Sequence, residues 1–158
     1  MINISKLEKE NSEECFQLIN YDSKDKNYFK SLGWSKNQFI LQFNKNTNYS
    51  VGLYDNNQLV SFVVGELIFV EKVSEYEILI IYVKKTYRKK GLASLLLNNI
   101  SDKKNKLKLN TMSLEVAENN FPAIEMYKKN NFNLIGRRKK YYFMNDEKID
   151  ALIFKKKL

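Results

Sequence analysis

The chain has 158 residues, 44% of them apolar, enough to bury one continuous core, so a single domain over residues 1–158 is the default reading. Lys and Arg outnumber Asp and Glu 27 to 18, a formal charge of +9, and there is no histidine. That excludes Ser-His-Asp and Cys-His nucleophile pairs and His-ligated zinc or iron, leaving a carboxylate, a tyrosine, a lysine or water as general base.

The single cysteine, Cys15, can close no internal disulfide and cannot supply a metal site that needs several thiolates, so packing is its expected role and no metal is expected. Met1–Glu10 lacks the apolar core of a signal peptide, and no run approaches about 18 uncharged residues. A protein of the reducing cytoplasm, away from membranes, is expected. The basic excess is either a binding property or a by-product of a Lys- and Asn-rich composition.

In chain order, Asn11-Ser12-Glu13-Glu14 reads as a capping-box start for a helix through Cys15, Phe16, Leu18 and Ile19. Ser35-Lys36-Asn37-Gln38 reads as a second, before Phe39, Ile40 and Phe43. The period then changes to that of strands: Tyr49 to Tyr54, a polar turn at Asp55-Asn56-Asn57-Gln58, Leu59 to Val70, a break near Lys72 to Glu75, and Tyr76 to Val83. Ile78 to Val83 is apolar on both faces, as in a central strand covered on both sides.

A basic loop, Lys84 to Gly91, leads into a helix marked by Leu92, Leu95, Leu96, Leu97 and Ile100. A strand from Thr111 to Val116 follows. Asn119 or Asn120 then caps a helix with Pro122 in its first turn, and Phe132 to Phe143 with Ile149 to Lys155 closes the chain as a hairpin. The order ααβββαβαββ predicts an α+β architecture and not a doubly wound one.

Arg88-Lys89-Lys90-Gly91-Leu92-Ala93 opens a helix directly after a buried strand. Unpaired N–H groups and the positive end of the helix dipole make such a start a phosphate site, and Gly and Ala let a ligand approach the backbone. By itself the pattern is also that of a solvated basic turn. It is neither a Walker A loop nor G-x-G-x-x-G.

With its preceding strand, this R-x-x-G-x-A segment resembles the acetyl-CoA motif of the GNAT acetyltransferase superfamily. A second motif of that superfamily, a strand, then Asn, then a helix with Ala and Tyr, is matched by Leu114-Glu115-Val116, Asn120, Ala123-Ile124 and Tyr127, with Asn131-Phe132 where the family has Gly-Phe. Within the superfamily the chain is similar to the bacterial ribosomal-protein-alanine N-acetyltransferases. That similarity rests on the twelve-residue step from Glu115 to Tyr127, Arg138-Lys139 before Tyr141-Tyr142, Asp150-Ala151, and Trp34-Ser35 before the second helix. The chain departs at Gly33, where those relatives carry Pro, and at Glu147, where they carry a turn glycine.

The resemblance implies a mainly antiparallel mixed sheet of about six to seven strands flanked by about four helices, acetyl-CoA as cosubstrate, and direct transfer to an amine. In it, the backbone of Ile81, Tyr82 and Val83 pairs with the pantetheine arm. N–H groups from Lys89, Lys90, Gly91, Leu92, Ala93 and Ser94 cradle the pyrophosphate with Arg88 at the loop's entry, and Asn120 bonds the pantetheine. Glu115 is the general base, through a water, and Tyr127 the acid that protonates the CoA thiolate. Trp34, Tyr141 and Tyr142 line the acceptor groove. All three have an alternative reading as packing residues, as Tyr127 has as core filler and Glu115 as a strand-end carboxylate paired with a lysine.

The acceptor implied is a protein N-terminus, that of a small-subunit ribosomal protein with N-terminal alanine. An α-amine, with a pKa of about 8, is easier to deprotonate than a lysine by more than about two units, roughly 3 kcal/mol. Two alternatives stand beside it: a small-molecule amine such as a polyamine, amino sugar or antibiotic, and a non-enzymatic basic domain on RNA or the ribosome. No direct nucleic-acid contact is required by the leading reading. Residues 1–83 hold 8 basic against 11 acidic residues and residues 84–158 hold 19 against 7, so the positive charge starts at the proposed polyphosphate loop.

Overall fold

Alternating apolar residues make the strands, and a computed structural model, describing all 158 residues, orders them as one sheet. In chain order the elements are β1 (Ile2–Leu7), α1 (Ser12–Asn20), α2 (Ser23–Ser31), α3 (Lys36–Phe43), β2 (Ser50–Asp55), β3 (Gln58–Val70), β4 (Val73–Val83), α4 (Leu92–Asp102), α5 (Lys104–Leu107), β5 (Leu109–Ala117), α6 (Phe121–Lys129), β6 (Asn133–Met144) and β7 (Glu147–Lys157). The seven strands lie in the order β1-β2-β3-β4-β5-β7-β6. Every neighbouring pair is antiparallel except β4 with β5. A parallel pair needs a crossover, which α4 and α5 supply.

The sheet is covered on both faces. On one, Leu92, Leu96, Leu97 and Ile100 of α4 and Ile124 and Tyr127 of α6 pack on Tyr76, Ile78, Met112, Leu114 and Phe154. On the other, Cys15 and Ile19 of α1 and Phe39 and Phe43 of α3 pack on Phe62, Val64, Ile80 and Tyr82. Cys15 is fully buried, as expected of a packing residue, and burial pushes its thiol far up, out of nucleophile range.

The α+β, mainly antiparallel sheet with β4 at its centre matches expectation. Three details differ. β1 and α2 were not expected: β1 buries only Leu7 and α2 buries nothing fully, so neither carries an apolar repeat. Two helices stand beyond the expected four: α2, and the single-turn α5, which buries nothing fully. The capping box expected at Asn11 does not cap α1; the Asn11 side chain instead accepts from the Glu8 N–H at 2.9 Å, one turn earlier, whereas Ser35 caps α3 by accepting from the Gln38 N–H. Leu95 points to solvent.

Both departures from the related sequences have a local cause. α2 ends in a Schellman motif, with Gly33 N–H on the Lys30 carbonyl and Trp34 N–H on the Phe29 carbonyl, which requires a left-handed residue at position 33. Gly33 has φ +88°, which proline cannot adopt. The β6–β7 turn is Asn145-Asp146, both left-handed, so Glu147 starts β7 and no glycine is needed there.

Candidate active site

The site begins with one extra residue in β4. Val64 pairs with Ile80 and Gly65 with Ile78, leaving Leu79 as a bulge. Ile78 therefore faces α4 and α6 while Ile80 faces α1 and α3. Gly65 permits this: a Cβ there would overlap the Tyr76 ring and lie 2.7 Å from the Glu77 carbonyl oxygen. Tyr76 is itself held by its hydroxyl, which donates to the Tyr49 carbonyl at 2.7 Å. Beyond the bulge β4 leaves β5, and their ladder ends at Ile78–Leu114.

The gap is a cavity of about 610 Å³ that passes between the two strands, so side chains from both faces of the sheet meet in it. α2 contributes Tyr28 and Phe29, β4 Glu77 to Ile81, β5 Glu115, α6 Asn120 and Tyr127, and β6 Tyr141 and Tyr142.

Along β4, the Lys84 N–H donates to the Val60 carbonyl, which makes 60/84, 62/82 and 64/80 the hydrogen-bonded pairs of the β3–β4 ladder. The Ile81 and Val83 amides therefore point away from β3, toward the gap. Tyr82 does not share this role: its backbone faces β3, where its carbonyl accepts from Ser61 Oγ at 2.7 Å, and its hydroxyl donates to Asp25 Oδ2 at 2.7 Å. Of the three residues expected to pair with a ligand arm, only Ile81 and Val83 present backbone to the cleft.

The loop after β4 has Lys89 at φ +61° and Gly91 at φ +78°, and no side chain caps α4. The first N–H groups of that helix are thus free for an anion. Leu92 is buried and anchors the turn, Lys89 and Lys90 are exposed, and Ser94 accepts from Asn130 Nδ2 at 3.0 Å. Arg88, though exposed, is engaged by other parts of the chain. Its Nε donates to the Val83 carbonyl at 2.9 Å, its Nη2 pairs with Asp25 at 2.5 Å, and its guanidinium lies 5.6 Å from the Tyr82 ring centroid. It ties the loop to α2 instead of reaching out of it. Uncapped helix, basic loop and open strand edge together fit a polyphosphate ligand with an extended arm.

Glu115 enters the cavity from β5 with Oε1 2.7 Å from Arg138 Nε. The Tyr127 ring is 5% exposed and packed between Phe132 and Phe154, at 5.6 and 6.5 Å. Its hydroxyl has no protein partner. Since no sealed side-chain polar atom in the chain lacks one, this hydroxyl reaches the cavity. Burial, reinforced by Tyr28 and Tyr142, pushes its pKa well up, so it stays protonated.

Asn120 caps α6 through the Ala123 N–H at 3.4 Å and donates to the Tyr28 hydroxyl at 3.0 Å. Trp34 lines the cavity while packing on Phe39 at 5.1 Å, and Tyr141 and Tyr142 form an edge-on pair at 5.1 Å. Burial, then the neighbouring Glu115, raises the Tyr142 pKa. The cavity thus brings together Glu115, Tyr127, Asn120, Trp34, Tyr141, Tyr142 and Ile81. Two members were missed by sequence reasoning, Tyr28 and Glu77, and the pairing of Arg138 with Glu115 was not foreseen. Only Glu77 left a signal, as a second carboxylate two residues after Glu75 in an otherwise apolar strand.

Residues 8–132 match the sequence model of the acetyltransferase (GNAT) family. The chain belongs to the GNAT family. This GNAT enzyme is similar to the ribosomal protein bS18-alanine N-acetyltransferase of Escherichia coli K12, 29% identical over 121 residues, 76% of this chain and 78% of that one. It is also similar, over a shorter stretch, to the L-amino acid N-acetyltransferase of the same strain, 36% identical over 72 residues, 45% of this chain and 44% of that one. The crystal structure of the E. coli ribosomal-protein-S18-alanine N-acetyltransferase superposes with a TM-score of 0.80 at 24% identity, covering 98% of this chain and 92% of that one. That of Arabidopsis thaliana NAA60 in complex with acetyl-CoA gives 0.80 at 20%, covering 100% and 99%. These two likenesses establish the GNAT fold. No helix is long and apolar enough to cross a membrane.

Proposed function

We propose that this GNAT enzyme transfers the acetyl group of acetyl-CoA directly to the α-amine of a protein N-terminus, in the cytoplasm, with an alanine-initiated small-subunit ribosomal protein as its acceptor. One observation carries the reading: the gap between β4 and β5 lets Tyr127, from the α6 face, and Glu115, from the opposite face, share one cavity beside an open strand edge. A thioester entering along β4 from the α4 side and an amine entering past α2 and the β6–β7 hairpin would meet there.

The Ile81 and Val83 amides hold the pantetheine arm as an added strand and polarise the thioester carbonyl. The free N–H groups at the start of α4 hold the pyrophosphate. Arg88 supports this geometry by fixing the Val83 carbonyl and α2. Asn120 orients Tyr28 and keeps one amide proton for the arm. Glu115, steadied by Arg138, is the general base for the attacking nitrogen through a water, and Tyr127 protonates the departing sulfur. Tyr28, Trp34, Tyr141 and Tyr142 form an aromatic wall suited to a small first side chain.

One relative is named for a ribosomal protein's alanine and the other for an L-amino acid, which supports an amino-acid or N-terminal acceptor. A panel of alanine-initiated peptides, their N-terminally blocked counterparts, free L-alanine and a polyamine separates the cases. The proposal expects transfer to the free-amine peptides at a kcat/KM at least about tenfold above that for L-alanine or the polyamine, about 1.4 kcal/mol of discrimination. Preference for L-alanine or the polyamine would move the assignment to a small-molecule acetyltransferase.

A further inference from the structure

α2 reaches the cavity with little burial to hold it. It brings Tyr28, Phe29 and Ser31 to the lining, yet it buries no residue fully. Its apolar hold is limited to half-buried aromatics such as Phe29, which packs edge-on to Tyr82 at 5.8 Å. Polar ties do the rest, and all of them lead to the acetyl-CoA side. Each side-chain hydrogen bond that leaves the helix ends on Tyr82, Arg88 or Asn120.

Asp25 is the centre of this set. One oxygen, Oδ2, accepts from the Tyr82 hydroxyl at 2.7 Å and from Arg88 Nη2 at 2.5 Å, and the side chain is only 16% exposed. A charged, largely shielded acceptor with two donors holds far better than an exposed ion pair. Asp22, three residues earlier, is such an exposed case: it caps α2 and meets Lys85 at 3.5 Å, but the lysine side chain is 67% exposed. Burial first, then Asp25 itself, pushes the Tyr82 phenol up, so it stays a donor to Asp25.

Both partners of Asp25 belong to the track assigned to acetyl-CoA. Arg88 also holds the Val83 carbonyl through Nε at 2.9 Å, which joins the end of β4 to α2. Tyr82 lies between Ile81 and Val83, the two residues whose amides face the gap. Near one turn further along α2, the Tyr28 hydroxyl accepts from Asn120 Nδ2 at 3.0 Å. The helix that presents Tyr28 and Phe29 to the acceptor is therefore held in place by the residues that line the cofactor.

We propose that Asp25 is a positioning residue: through α2 it links the acceptor wall to the acetyl-CoA track, so that filling the track tightens the grip on the amine. This rests on the acetyl-transfer reading, and Asp25 itself touches neither substrate. A ligand along β4 bonds the Ile81 and Val83 amides and steadies that strand end, and Arg88 with Asp25 passes the restraint to α2. A wall already held in place costs less to order when the acceptor arrives. The coupling is reciprocal, so the acceptor tightens the cofactor by the same factor.

The test compares wild type, Asp25→Asn and Asp25→Ala, using whichever amine of the peptide, L-alanine and polyamine panel the wild type acetylates. Asparagine keeps the size and an acceptor for Tyr82 but loses the charge that holds Arg88. Asp25→Ala should raise KM for the amine about tenfold or more, with kcat at saturating amine within about threefold, because Glu115 and Tyr127 stand on other elements. Asp25→Asn should fall between. A merely structural Asp25 would lower Tm and the active fraction, reducing kcat and leaving KM in place.

A second readout needs no acetyl transfer. Trp34, the chain's one tryptophan, donates its N–H to the Phe29 carbonyl at the end of α2 and lines the cavity. Coenzyme A should shift its emission in wild type. In Asp25→Ala, calorimetry should still show coenzyme A binding while the emission no longer responds. If wild type acetylates no amine yet the two proteins differ in this way, the acceptor assignment fails and the role of Asp25 stands. An amine KM in Asp25→Ala within about threefold of wild type overturns the proposal. So does a Trp34 response to coenzyme A that is absent from wild type or kept in full by the variant.

Discussion

Replacing Tyr127 by phenylalanine separates chemistry from packing at the residue assigned to protonate the leaving sulfur. The ring is held by Phe132 and Phe154, and phenylalanine keeps those contacts. The hydroxyl makes no hydrogen bond to the protein and opens on the cavity, so its loss leaves no buried group unpaired. Stability should stay within about 1 kcal/mol of wild type, a Tm change of under about 4 °C at this chain length. Turnover should fall by about 10²–10⁴, the usual contribution of a positioned acid, and 10² corresponds to about 2.7 kcal/mol of barrier. KM for acetyl-CoA should barely move, because the backbone of β4 and the start of α4 do the holding. Scanning calorimetry beside steady-state kinetics reads both quantities. Turnover within about threefold of wild type would remove Tyr127 from the mechanism, and a large Tm loss would refute the reading of its hydroxyl as unpartnered.

Gly65→Ala places a methyl group against the Tyr76 ring beside the β4 bulge and should destabilise by about 1–3 kcal/mol or more in denaturant melts, with activity falling as the cleft shifts. Gly33→Ala forces φ +88° on a residue with a Cβ and should lower stability by roughly 1–2 kcal/mol; an unchanged midpoint would mean that α2 ends differently. Glu75 is pushed up by burial, but its bonds to Lys155, Ser113 and Thr111 outweigh this and hold its carboxyl below the ordinary range. It therefore stabilises the fold above the unfolded carboxylate pKa of about 4.3, and loses that contribution as pH falls through the folded value. Glu75→Gln should be less stable than wild type at neutral pH, with the gap narrowing in melts below about pH 4.

What could be read from the sequence is what local chemistry dictates. The run from Ile78 to Leu92 announces a central strand, a basic loop and a helix start because each feature lies within a few residues of the next. Asn120 with Pro122 marks the start of α6 in the same way. β1 escaped because Leu7 alone is buried, and α2 because its contribution is two half-buried aromatics, Tyr28 and Phe29, in a charged segment. The candidate pair Glu115 and Tyr127 was legible through a resemblance, but the reason they meet was not. That reason is the bulge at Leu79, which depends on a Gly65–Tyr76 contact no periodicity encodes. The same holds for Arg138 on Glu115 and for the isolation of Glu77, which emerge only once β3, β4, β5, β7 and β6 are assembled into one sheet.

The central claim is an acetyl group moved from acetyl-CoA to an α-amine. Tandem mass spectrometry of an alanine-initiated peptide that also contains an internal lysine, after incubation with the full chain and acetyl-CoA, reads it directly. The account predicts one added acetyl group, on the alanine nitrogen, absent when the N-terminus is blocked. Acetyl on the lysine alone, or none on either amine while acetyl-CoA binds, would contradict it.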